Sequence, residues 1–193
     1  GVPVRAARLS AVATGALVAL VACGGTADPP AGAGERVYRM GFSPFGPRVT
    51  IEDILATVDL WTERADAGII HMDVPWVALL DGAAAADVAT EAWLAMVELY
   101  RDRGLMVAIT VDATNGLSRD REAEPLVARG RSVTEPEIQA LYRSWVVAVA
   151  EVLRPDWLGL IAETNLVRLA APAALYDALP VMAAAAASDL AGS

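Results

Sequence analysis

The chain has 193 residues, with 24 Asp and Glu against 15 Lys and Arg, for a formal net charge of −9. Phosphate binding needs clustered Lys and Arg, so this balance argues against a nucleic-acid partner. One Cys and one His leave no internal disulfide and no zinc cluster of the usual spacing, and no metal or cofactor is expected.

At the N-terminus, Arg5 and Arg8 precede a weakly polar-to-apolar run, Ala11 to Ala22. A positive segment followed by an apolar one of this length is the pattern of a secretory signal. It is shorter than the roughly 20 apolar residues that span a bilayer. Leu20-Val21-Ala22-Cys23-Gly24-Gly25 resembles the lipobox of bacterial lipoproteins. That resemblance implies a signal peptide over 1–22 and lipidation of Cys23. The domain would then be lipid-anchored at the cell envelope or the extracellular surface, stable anchoring taking more than one acyl chain. An ordinary cleaved signal or an N-terminal membrane helix is the alternative. Residues 23–35 are mostly Gly, Ala and Pro and suit a flexible tether.

From residue 36 the chain alternates strand and helix. The first strand is Val37 to Phe42, stopped by Pro44 and Pro47. Thr50 caps a helix on which Ile51, Ile54, Leu55, Val58 and Trp61 recur at helical spacing. Ile69 to Val74 form the second strand, ended by Pro75 and Trp76, and an alanine-rich loop follows. The second helix starts near Thr90, carries Trp93, Leu94, Val97 and Tyr100, and stops at Gly104. Leu105 to Val111 is a continuous apolar strand, as expected for burial on both faces. Residues 112–131 are polar and aperiodic, with Glu122 and Glu124 among arginines reading as a solvated segment. Thr134 is the expected cap of a third helix, with Glu137 in the capping-box position and Leu141, Trp145, Val149 and Val152 on its buried stripe. Trp157 to Ala162 is the fourth strand, and a last helix begins near Pro172 and fades into Ala183 to Ala187.

Such alternation predicts an α/β fold with a parallel sheet and right-handed crossovers. A dinucleotide fold would place a glycine-rich loop after the first strand. Here that turn is Ser43-Pro44-Phe45-Gly46-Pro47, with no phosphate cradle. The expected architecture is therefore a partial (β/α)8 barrel over 36–193, truncated after about four βα units. A whole barrel takes about 250 residues. A half-barrel that dimerises is the lesser alternative.

Sites in such folds lie at the C-terminal strand ends. Those ends carry Phe42-Ser43, His71-Met72-Asp73-Val74-Pro75-Trp76, Asp112-Ala113-Thr114-Asn115 and Glu163-Thr164-Asn165. Carboxylates exchange protons with glycosidic oxygens, amides bind hydroxyls and aromatic faces stack on sugar rings. By alternation His71 and Asp73 share a face.

Met40-Gly41-Phe42-Ser43-Pro44-Phe45, Asp73-Val74-Pro75-Trp76 and Ala162-Glu163-Thr164-Asn165 resemble the clan A (β/α)8 glycoside hydrolases, the cellulase- and endo-galactanase-like enzymes, over the first half of their fold. The resemblance implies hydrolysis of a poly- or oligosaccharide with Glu163 as catalytic acid/base. Trp76, Asp73, Asp112, Asn115 and Asn165 would then contact the carbohydrate. Ala162 stands where the family has Asn, and Asn165 follows two residues after the Glu. The family's nucleophile ends strand seven, beyond these units. Retention needs carboxylates about 5–5.5 Å apart.

Plainer roles stand beside these. Glu163 could cap the last helix or pair with Arg168, Asp73 could cap its turn, and Asp112 and Asn115 could hold the long loop through Asx turns. The alternative function is a non-catalytic lipoprotein that binds a saccharide or a protein. An aldolase-type barrel fails because the chain has no lysine.

Overall fold

The computed structural model describes residues 38–43, 48 and 50–192, which belong to one unit, Val37–Ser193. The signal over 1–22, Cys23 and the tether lie outside the described residues. Four strands, β1 (Gly41–Phe42), β2 (Ala67–Asp73), β3 (Met106–Asp112) and β4 (Trp157–Gly159), form one parallel sheet in the order β1-β2-β3-β4. Helix α1 (Ile51–Thr62) links β1 to β2. Helices α2 (Trp76–Leu80) and α3 (Ala85–Asp102) link β2 to β3, and α4 (Glu124–Ala128) and α5 (Pro136–Ala148) link β3 to β4. A π-type turn, Val149–Leu153, continues α5. Helices α6 (Thr164–Ala170) and α7 (Ala173–Gly192) complete the chain order.

Strand order follows chain order, and parallel crossovers are right-handed, so successive helices fall on the same face of the sheet. On that face Ile70, Met72, Val107, Ile109 and Val111 meet Val58, Trp61, Val97, Tyr100, Ile138, Tyr142, Trp145, Leu179 and Met182 in one core. The opposite face carries Ile69, His71, Asp73, Ala108 and Thr110, all partly or well exposed, and Trp157, which is 46% exposed. The expectation that β3 is buried on both faces is thereby corrected. Val107, Ile109 and Val111 are sealed beneath the helices, Met106, Ala108 and Thr110 are only partly covered, and Asp112 at the strand end is the strand's one buried residue on the open face.

Local chemistry explains most element boundaries. Thr50 caps α1, its hydroxyl accepting from the Asp53 amide at 3.2 Å. The expected cap at Thr134 is corrected. Helix α5 starts two residues later, with Pro136 in its first turn, where a missing N–H costs nothing. Thr134 instead shares a hydrogen bond with the Ser132 hydroxyl at 2.8 Å. Helix α3 starts at Ala85 rather than near Thr90, with no side-chain cap. Its first turn is alanine-rich, and alanine has the best helix propensity. The β4 ladder stops at Gly159 because the Leu160 carbonyl accepts from the buried Tyr142 hydroxyl. The Ala162 amide then rejoins β3 at the Val111 carbonyl, 2.8 Å away.

Gly68 of β2 lies beneath the Tyr100 ring. A Cβ there would stand 2.4 Å from Tyr100 Cδ2 and Cε2. Tyr100 is fully buried beside Trp61, so the ring has little room to retreat. Gly68→Ala is expected to lose roughly 1–3 kcal/mol in urea unfolding, with recovery when combined with Tyr100→Leu. A loss near zero in the single variant would show the ring moving freely.

Candidate functional site

A cleft of about 720 Å³ opens at the C-terminal ends of β2 and β3 and beside the residues that follow β4. Ser43, His71, Asp73, Asp112, Arg119 and Glu163 are among its lining residues. Strand geometry makes this convergence. His71 and Asp73 are two apart on β2, hence on one face, and the parallel register sets Asp73 opposite Asp112.

Asp112 is nearly sealed, its side chain 1% exposed. Its Oδ1 accepts from the Thr114 amide at 3.1 Å and lies 3.4 Å from the Thr114 hydroxyl. Its Oδ2 accepts from an Nη of Arg119 and stands 3.2 Å from His71 Nε2. The Arg119 side chain, 5% exposed, turns its other edge to Glu163, with Nε 2.6 Å and Nη2 2.5 Å from Oε2. His71, Asp112, Arg119 and Glu163 thus form one chain of polar contacts across the rim.

The loop after β3 delivers Arg119. The Asn115 side-chain oxygen accepts from the Leu117 and Ser118 amides, both at 3.1 Å, and the Asn115 backbone carbonyl accepts from the Arg119 amide at 3.1 Å. Arg119 then takes a left-handed backbone, φ 59°, and so does Glu163, φ 47°. Such conformations cost of order 1 kcal/mol or more for a non-glycine residue and persist only where surrounding contacts enforce them.

Burial alone would push the Arg119 guanidinium down, but its hydrogen bonds to Asp112 and Glu163 and their charges outweigh it, and the net shift is upward. Asp73 also shifts upward, first from partial burial and then from the Asp112 charge, with His71 and Arg119 pulling the other way. Asp73 makes no side-chain hydrogen bond among the described residues. A carboxyl raised in the folded state supports folding below its ordinary range and loses that contribution as pH rises through the raised value. Asp73→Asn is therefore expected to raise the thermal midpoint at pH 7 and to change it little below about pH 3. An unchanged or lower midpoint at pH 7 would contradict this.

Of the residues expected from sequence, Glu163, Asp73 and Asp112 meet in the cleft. Glu163 occupies the N-cap of α6, but its side chain makes no cap hydrogen bond there. It pairs with Arg119 and not with Arg168. Asn115 lines the cleft, yet its side-chain oxygen is committed to the loop turn. Trp76 lines the cleft too, though not as an open stacking surface. As the first residue of α2 it is 2% exposed, with its indole N–H buried without a partner. Asn165 is exposed on α6, outside the cleft lining. Glu122 is corrected as a solvated residue. It accepts from the Ser132 hydroxyl at 2.6 Å and from the Val133 amide at 3.3 Å, tying the two ends of the connection together. Sequence reasoning missed Arg119 altogether, since an aperiodic loop gives no sign of which arginine turns inward.

Among the described residues, no group of three or more His, Cys, Asp or Glu is arranged to hold a metal ion, and no helix is long and apolar enough to cross a membrane. The chain matches no known family, no curated protein and no solved structure.

Proposed function

We propose that the cleft binds a carbohydrate and cleaves a glycosidic bond by acid/base-assisted hydrolysis, with Glu163 exchanging the proton with the leaving oxygen. The observation that carries this reading is the meeting of Glu163, Asp73 and Asp112 in one cleft at the C-terminal strand ends. Carboxyl groups in unlike surroundings are what glycoside cleavage uses. Here Asp73 is pushed up by partial burial and has no side-chain hydrogen bond among the described residues, while Asp112 is locked by Arg119 and Thr114.

The same reading takes the sheet as part of a (β/α)8 barrel. Strand order equal to chain order, with the helices on one face, supports it. The polar open face at the strand ends is then barrel interior. Anchoring through Cys23 at the cell surface belongs to the proposal too.

One observation favours non-catalytic saccharide binding instead, namely that the Glu163 carboxylate is already paired with a buried guanidinium. Release of reducing sugar from oligo- and polysaccharides by the protein, compared with its Glu163→Gln variant, separates the two. Turnover lost with binding kept supports hydrolysis. Binding without turnover in the unaltered protein leaves the binding reading.

A further inference from the structure

We infer that Arg119 is a positioning residue for Glu163, holding its carboxylate at the rim and stabilising the charge left there each time the proton departs. The inference deepens the hydrolysis reading and rests on it for its kinetic part. Three observations carry it. The Arg119 side chain is 5% exposed and Glu163 is 47% exposed, so a fixed, dry cation meets an accessible carboxylate. The two contacts to Oε2, at 2.6 and 2.5 Å, come from adjacent nitrogens of one planar fork. Both residues are held in left-handed backbone, φ 59° and 47°, so each is fixed from both the main chain and the side chain.

The third Arg119 nitrogen is fastened to Asp112, which is itself held by the Thr114 amide and lies against His71. Glu163 is therefore referenced, through Arg119, to the end of β3 rather than to its own short helix. A guanidinium suits this task. Its planar fork makes several directed hydrogen bonds at once, whereas an ammonium acts as a point charge. Gly116 completes the seat. A Cβ there would stand 3.4 Å from Asp112 Oδ2, 3.7 Å from Asp73 Oδ1 and 4.0 Å from an Nη of Arg119, so the loop backbone runs directly over the three groups.

The experiment uses the Arg119→Ala and Arg119→Lys variants of the protein, with and without millimolar guanidinium ion. Misplacing a reacting group by about 1 Å costs on the order of 100-fold, and an interaction that aids only the transition state lowers kcat with little change in KM. We expect about that fold loss in kcat in both variants, KM nearly unchanged, and recovery by guanidinium in Arg119→Ala alone. An independent readout is the rate of carbodiimide labelling at Glu163, followed by peptide mass spectrometry. It is expected to rise in Arg119→Ala and to fall again with guanidinium. Should Arg119→Ala not fold, Arg119→Lys carries the same comparison, with faster labelling than in the unaltered protein. Unchanged labelling, or a kcat loss that guanidinium does not recover in a folded Arg119→Ala, overturns the inference. Changed labelling in a protein that cleaves no glycoside keeps the positioning role and removes the hydrolysis reading instead.

Discussion

Glu163→Gln is expected to lower glycoside turnover by about 10²–10⁴-fold, the range that a positioned proton-transfer group contributes. The substitution isolates the proton. Gln keeps the length of the side chain and an oxygen that accepts from Arg119 Nε, now 2.6 Å from Oε2. The backbone at φ 47° is asked to adopt nothing new. Binding of the sugar measured by calorimetry should stay close to that of the unaltered protein, so the loss falls on kcat. Removing a charge from the partner of a buried guanidinium also costs stability, and the assay belongs well below the thermal midpoint of the variant. Turnover unchanged in Glu163→Gln would remove Glu163 from the acid/base role.

Asp112→Asn is expected to destabilise the fold by about 3 kcal/mol, the low end of the cost of breaking a buried ion pair. Asp112 is 1% exposed and Arg119 5%, so the guanidinium would lose one of its two counter-charges where water cannot replace it. Glu163 still neutralises it in part, which keeps the loss from the upper end. The double variant Asp112→Asn with Arg119→Met should recover part of the loss, because no unpaired charge is then left buried. Urea unfolding at pH 7 measures both. A single-variant loss below about 1 kcal/mol, of the size seen for exposed pairs, would mean that water reaches the pair.

The strand–helix alternation was legible because its long elements carry their own signals. Helix α1 has Val58 and Trp61 at helical spacing behind a threonine cap, β2 carries Ile70 and Met72 in alternation with His71 and Asp73, and β3 is a largely apolar run shortly after Gly104. The short helices were not legible. Helices α2 and α4 have five residues each, too few to show a period, and bury Trp76, Leu79 and Leu126 in tertiary contacts. Helix α6 was missed for a similar reason, since of its seven residues only Val167 is buried. The length of β4 was overread, because the Leu160 carbonyl is claimed by a hydroxyl 18 residues earlier in the chain.

The site divides in the same way. Asp73, Asp112 and Glu163 follow from strand ends, and the shared face of His71 and Asp73 follows from a period of two. Arg119 depends on a turn set by the Asn115 side chain and closed by a left-handed residue, a geometry that the residue types alone do not specify. Trp76 lines the cleft as its place after a strand suggests, but one turn of helix draws most of the indole into the core, so it is 2% exposed rather than an open corner.

The one-sided placement of the helices gives this protein an optical property. Of its five tryptophans, Trp61, Trp76 and Trp145 are buried and Trp93 is half-covered, while Trp157 stands 46% exposed on the bare side of the sheet. Acrylamide should therefore quench chiefly the red-shifted part of the intrinsic fluorescence. Whatever comes to lie across that side would shield the same emission, so occupancy of the bare side can be followed by light without attaching a dye.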